Sequence, residues 1–390
     1  MLEQMKARID ALITKDLNAG AFAGASAAVY RDGECLYSGT FGMADRENGI
    51  PMADDSIFRI YSMTKPVTAA AVMQLAERGI IDLQHPVSRY IPEFSAPRVY
   101  NPNGSTRPAK REMTIQDLLN MQSGLTYADA GSYTGHDTAQ VFGAMEKAAA
   151  SGKPMDTMEF CRRIAAVPLK FDPGTEWEYG VSADILGGVV EVAAGMDYRS
   201  YLFENIFQPL GMSDTDFYVP KEKQHRFTAA YALEENALVR DEGCYFGLND
   251  YRTCPAFHSG GAGLCSTVAD YAKFANSLAN NGTSPDGVRI LSPRSVAYIR
   301  TPQVPNAKLL WKGWDSIKGY DYGALVRVLT SQKDFGTIAP LGEFGWDGWT
   351  GTYFTIEPTE KLVILFWIQV SRAGTCDTAR RMRNAVYGQI

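Results

Sequence analysis

The two ends of the chain restrict its fold more than any other part. Near the start, "ASAAVYRDGECLYSGTFG" (Ala25 to Gly42) sets two β-prone runs around Asp32-Gly33, a pair favoured in two-residue hairpin turns. At the far end, "TYFTIEPTEKLVILFWIQV" holds two more strand-length runs around a turn at Glu357 to Glu360. Between them the patterns are mostly helical. Val67, Ala71 and Leu75 share a face, "TIQDLLNM" and "DTMEFCRRIAAV" are periodic, and "SADILGGVVEVAAG" and "TVADYAKFANSLANNG" each finish at a glycine suited to a left-handed cap. The segments "MLEQMKARIDALITKDL" and "TCDTARRMRNAVYGQ" read as terminal helices.

Strands drawn from both ends, with helices between, predict an α/β (α+β) fold: an antiparallel sheet of N- and C-terminal strands flanked by helices, with an inserted, mainly helical domain. The expected division is residues 1–60 with 260–390 for the sheet domain and 61–259 for the helical one, the active site lying at their interface. Two stretches, Tyr127 to Pro154 and Val304 to Leu341, fit no period and read as long loops, either disordered or walls of a site.

Composition removes several function classes. With 390 residues and 45% hydrophobic content the chain buries a large core, as two domains or one composite fold. The balance of 38 basic and 44 acidic residues, net −6, has no basic run that would track phosphates, so nucleic acid is not an expected partner. No apolar run reaches the roughly 18 residues of a membrane span, and the first residues are amphipathic instead of leader-like. A soluble, cytoplasmic protein is expected. Six cysteines without a C-x-x-C and only four histidines argue against a disulfide framework or metal, and predict free, mostly buried thiols; no cofactor is called for.

The chemistry starts at "RIYSMTKP", where Ser62 precedes Lys65 by three residues at an apparent helix start. With Ser62 as N-cap, its backbone sits at the positive helix end, and residues three apart share a face, so the Lys65 amine reaches the Ser62 hydroxyl. A serine needs such a base, because its hydroxyl is a poor nucleophile at neutral pH. Taken alone, the same pattern describes a capped helix showing a lysine to water. Further along, "PGTEWEYGVSADILG" places Tyr179 ahead of a helix, and "FGWDGWTGTYF" leads Gly345, Trp346, Asp347 and Gly348 into a strand.

With "LLNMQSGL" and "GGAGLCSTVADYAKFAN", these motifs resemble the serine β-lactamase, penicillin-binding protein and esterase superfamily, in its class C-like branch, from about Gly24 to the end. The nearest pattern is that of the family VIII carboxylesterases. The resemblance implies that Ser62 attacks an ester carbonyl, that Lys65 and Tyr179 share the proton traffic, and that the backbone N–H groups of Ser62 and Trp349 form the oxyanion hole. It places substrate binding at Trp346, Asp347, Gly348 and Trp349. The order of proton transfer between Lys65 and Tyr179 stays open.

Two departures bear on substrate. Where class C β-lactamases carry K-T-G this chain has Trp346-Asp347-Gly348, which argues against an obligatory anionic substrate at that point. Gly180 and Val181 follow Tyr179, without the asparagine that many relatives place two residues on. Asp347 replaces the middle glycine of the usual W-G-G, and strand alternation points it away from Trp346 and Gly348, toward a structural role. A carboxylesterase for small or aryl esters is the expected activity. The alternatives are a class C-like β-lactamase or D-amino-acid peptidase or amidase, an acyltransferase, and a non-catalytic penicillin-recognising protein.

No G-x-S-x-G, H-E-x-x-H or phosphate-loop motif competes. Among the histidines, His85 and His225 have no partner spacing, His258 reads as a loop or core residue, and His136 with Asp137 as a solvated loop pair. The cluster Gly260, Gly261 and Gly263 reads as a structural turn, and Trp177 as packing. Aromatics from Trp311 and Trp314 to Tyr320 and Tyr322 suit either an apolar pocket or ordinary core.

Overall fold

The structure, a computed structural model, describes residues 2–235, 237–305 and 315–390. Its centre is an eight-stranded antiparallel sheet. In chain order its strands are β1 (Gly24–Arg31), β2 (Glu34–Asp45), β3 (Ile50–Pro51), β4 (Tyr320–Tyr322), β5 (Arg327–Leu329), β6 (Phe344–Asp347), β7 (Thr352–Glu357) and β8 (Leu362–Trp367). The spatial order is β4-β5-β6-β7-β8-β1-β2-β3, so the first strand pairs with the last, Ser26 opposite Trp367. The β1–β2 turn has Asp32 and Gly33 at φ of 50° and 84°, the left-handed pair of a tight hairpin.

β8 reads as an unbroken apolar run because both of its faces are covered. Val363, Leu365 and Trp367 point into a large core shared with helices α2 (Thr64–Glu77), α4 (Ser182–Ala194) and α5 (Val268–Ala279). Leu362, Ile364 and Phe366 point the other way, onto Met5, Ile9 and Ile13 of α1 (Leu2–Asn18) and Met382 and Val386 of α6 (Asp377–Tyr387). The terminal helices touch each other, with Asp16 accepting from Thr378 and Arg381. No described helix is long and apolar enough to cross a membrane.

Several expectations are corrected. Within Tyr127 to Pro154 lies helix α3 (Tyr133–Ala150). Its buried face mixes Thr134, Gly135 and Thr138 with Val141, Phe142 and Met145, which hides the apolar period. Thr138 hides its hydroxyl by donating to the Thr134 carbonyl at 2.9 Å. His136 and Asp137 are therefore helical, and Asp137 accepts a 2.6 Å bond from Tyr100. Within Val304 to Leu341, β4 and β5 extend the sheet; at three residues each they are too short to show alternation. Trp311 and Trp314 lie outside the described residues, whereas Tyr320 and Tyr322 are core. Helix α5 ends before its glycine, and Asn281 takes the left-handed conformation at φ 56° ahead of Gly282. Finally, Cys161 and Cys265 are buried but Cys35, Cys244 and Cys254 are exposed.

Candidate active site

Ser62 is not the helix N-cap that its position suggested. It sits in a 3-10 turn, Tyr61–Met63, immediately before α2. Tyr61 has φ of 41°, a conformation that costs a non-glycine residue about 1 kcal/mol or more. The turn is held by a frame of hydrogen bonds. Ile60 donates to Leu264, Leu264 donates to the Thr64 hydroxyl, and Tyr271 donates to the Met63 carbonyl at 2.8 Å. One turn on, the Thr68 hydroxyl donates to Gly260 at 2.6 Å. Gly260 packs so tightly on α4 that a Cβ there would lie 2.2 Å from the Ala183 carbonyl oxygen. The glycine cluster is thus the brace of the serine turn.

Lys65 is fully buried on the first turn of α2, followed by Pro66, whose missing N–H costs nothing at a helix start. Its Nζ lies 3.1 Å from Ser62 Oγ, 3.0 Å from Tyr127 Oη and 2.8 Å from the Gly261 carbonyl oxygen. Burial lowers its pKa to about 7, against the opposing pull of Asp184 and Asp347. Tyr179 Oη accepts a 3.1 Å bond from Trp346 Nε1, and the Tyr179 ring lies under the Lys65 amine, 4.6 Å from the ring centre. Burial raises the Tyr179 pKa, against hydrogen bonds from Ser62 and Trp346 that favour the phenolate. Burial also raises the Tyr127 pKa, well above its ordinary value.

The pieces come together around one cleft of about 430 Å³, lined by Ser62, Tyr127, Tyr179, Phe246, Gly348 and Trp349 among others. Of the four motif residues from β6 onward, Asp347, Gly348 and Trp349 line this cleft, while Trp346 is fully buried behind Tyr179. The Asp347 carboxylate is occupied: it accepts from Arg327 Nη1 at 2.8 Å and from Thr375. Trp177 stacks on Tyr179 within the core, and His258 packs on Phe217.

Sequence reasoning missed Tyr127 and Asp184. Tyr127 stands in a segment without period, and only its place after "LLNMQSGL" set it apart. Asp184 is buried in the first turn of α4, where its carboxylate accepts from the Gly261 N–H at 3.0 Å and from the Ser259 hydroxyl, so it fixes the loop whose carbonyl receives Lys65. Its position five residues after Tyr179 was the available signal.

Residues 9–389 match the family model described as Beta-lactamase. The chain belongs to the beta-lactamase family. It is 32% identical to the esterase EstB of Burkholderia gladioli, over 99% of this chain and 96% of that one. It is 28% identical to the monacolin J acid methylbutanoyltransferase of Aspergillus terreus, over 87% of this chain and 84% of that one. In three dimensions it superposes on EstCE1, described as a hydrolase with promiscuous acyltransferase activity, with a TM-score of 0.84 at 24% identity and 99% coverage of each chain. Fold and sequence together make the chain a serine hydrolase of this family.

Proposed function

We propose that the protein is a carboxylesterase acting on small or aryl esters through an acyl-enzyme at Ser62. The observation that carries this reading is the Lys65 amine, buried, held 3.1 Å from Ser62 Oγ and with its pKa lowered to about 7. A neutral amine there offers a lone pair to the serine proton, while Tyr179, its pKa raised, stays a phenol. Lys65 therefore takes the Ser62 proton as Oγ bonds to the carbonyl carbon. The N–H groups of Ser62 and Trp349 receive the oxyanion. Collapse breaks the ester C–O bond, and the departing alkoxide takes a proton from the Tyr179 hydroxyl, which Lys65 replenishes. Water then repeats the sequence against the acyl-enzyme and frees the acid.

An ester is favoured over a β-lactam because Trp346 occupies the K-T-G lysine position and spends its one N–H on Tyr179. The 32% identity with EstB supports the same choice. A second reading, acyl transfer to an alcohol, has the support of the 28% identity with the methylbutanoyltransferase. It differs only in which hydroxyl enters the second half-reaction.

Assays with 4-nitrophenyl butyrate, nitrocefin and butyrate ester plus an alcohol acceptor separate these readings. Hydrolysis of the butyrate, with nitrocefin at least a hundredfold slower, is expected. Ser62→Ala should lower kcat by roughly 10³-fold or more and abolish labelling by a fluorophosphonate. Labelling that persists at another serine would overturn the assignment.

A further inference from the structure

The cleft is lined by one cationic side chain that the mechanism does not use, Arg372. After β8 the chain turns at Val370 to Ala373, closed by a 3.1 Å bond from the Ala373 N–H to the Val370 carbonyl. Arg372 occupies the third position of this turn at φ 66°, where glycine or asparagine is ordinarily found. Its guanidinium lies over the indole of Trp349, 5.7 Å from the ring centre, and Arg372 lines the cleft together with Ser62. It is exposed and makes no ion pair among the described residues. Asp347, the acid among the lining residues, is already engaged by Arg327 and Thr375. Asp241, the acid that meets this turn, is turned to the Ser371 and Tyr245 hydroxyls, so the cleft of this chain of net charge −6 keeps an arginine without an ion pair among the described residues.

From this geometry, and resting on the esterase reading above, we infer that Arg372 recognises a carboxylate on the substrate, so that the preferred esters are monoanions. Stacking on Trp349 restrains the guanidinium while leaving its N–H fork open, the arrangement that suits bidentate carboxylate binding. An acidic protein repels a free anion, and a cation lining the same cleft as the serine offsets this locally. The cation is not at the motif position where class C β-lactamases keep theirs. It comes from the turn after the last strand, where no motif draws attention to it.

The test compares charged esters with neutral twins. Mono-4-nitrophenyl glutarate against 4-nitrophenyl pentanoate puts the carboxylate on the acyl side, and 4-acetoxybenzoate against phenyl acetate puts it on the alcohol side. For at least one pair, Arg372→Ala should lower the charged-to-neutral ratio of kcat/KM about tenfold, Arg372→Lys should restore part of it, and added salt should erode it in the parent. The pair that responds identifies the half of the substrate that bears the charge. Equal ratios in parent and Arg372→Ala for both pairs would overturn the inference and leave the esterase reading intact. Binding of the same esters to Ser62→Ala protein, followed by tryptophan fluorescence, requires no turnover. There too, a tenfold selective loss in the Arg372→Ala background supports the inference, and none refutes it, even if no ester is hydrolysed.

Discussion

At the scale of single residues, the lysine beside Ser62 sets the pH behaviour. Its folded value of about 7 lies below the 10.5 of an exposed lysine. In the proposed mechanism the reactive form is the deprotonated one, so kcat/KM for a neutral ester should climb with pH and level off above about 7. Lys65→Arg, charged at every accessible pH, should remove that limb along with the activity. The stability linkage has the same origin. Between about 7 and 10.5 the unfolded chain carries a proton on Lys65 that the folded chain does not, so this group makes stability rise with pH across that window. Chemical denaturation at pH 7.5 and 9.5 would measure it, and Lys65→Met should flatten the slope. Ser62, Lys65 and Tyr179 could be picked out in the sequence because their spacing is local or their motif is short. Tyr127 could not, since its contact with Lys65 spans 62 positions and depends on how the segment before α3 is folded back. The same is true of Arg372, whose place at the cleft is set by the turn after β8.

At the scale of elements, glycines show how the serine turn is braced. Gly260 meets the Ala183 carbonyl and Gly261 supplies the carbonyl that receives Lys65. Gly260→Ala should cost roughly 1–3 kcal/mol by overpacking, and should lower activity further than stability alone accounts for, because α4 and the lysine-binding loop must separate. At Gly143, inside α3, an added methyl group would meet no atom within 4 Å, and the backbone φ is ordinary. Gly143→Ala should therefore stabilise by about 0.5–1 kcal/mol without affecting turnover. Thermal denaturation with 4-nitrophenyl butyrate assays would check both. Hairpins and amphipathic helices were legible because their signals lie within ten or so residues. Helix α3 was not, as threonines and glycines on its buried face carry no hydrophobic period, and β4 and β5 were too short to alternate.

At the scale of the whole molecule, the two ends of the sequence meet in the sheet, and a buried ion pair fixes the C-terminal helix to it. Arg383 of α6 donates to Glu343, just before β6, at 2.9 Å, and both are 1% exposed; Tyr387 donates to the other Glu343 oxygen at 2.6 Å. Removing one member strands the other, so Arg383→Ala should destabilise by roughly 3–5 kcal/mol, whereas combining Arg383→Met with Glu343→Leu should recover most of the loss. Urea midpoints of the parent and the two variants would measure this. The sheet of terminal strands was expected from the sequence, because its runs are long and apolar. The pairing of β1 with β8 was not itself readable, since register across such a span leaves no local mark.

That pairing has a consequence for a chain still being made. The strand that begins the sheet has its β8 partner only once synthesis has passed Trp367, and contacts of such span form late. Until then the core behind the serine turn lacks Val363, Leu365 and Trp367. A chain ended before β8 should accordingly leave that core open, and should show neither ester turnover nor labelling of Ser62 by a fluorophosphonate. The strand made last thus closes the core on which the helix carrying Lys65 rests.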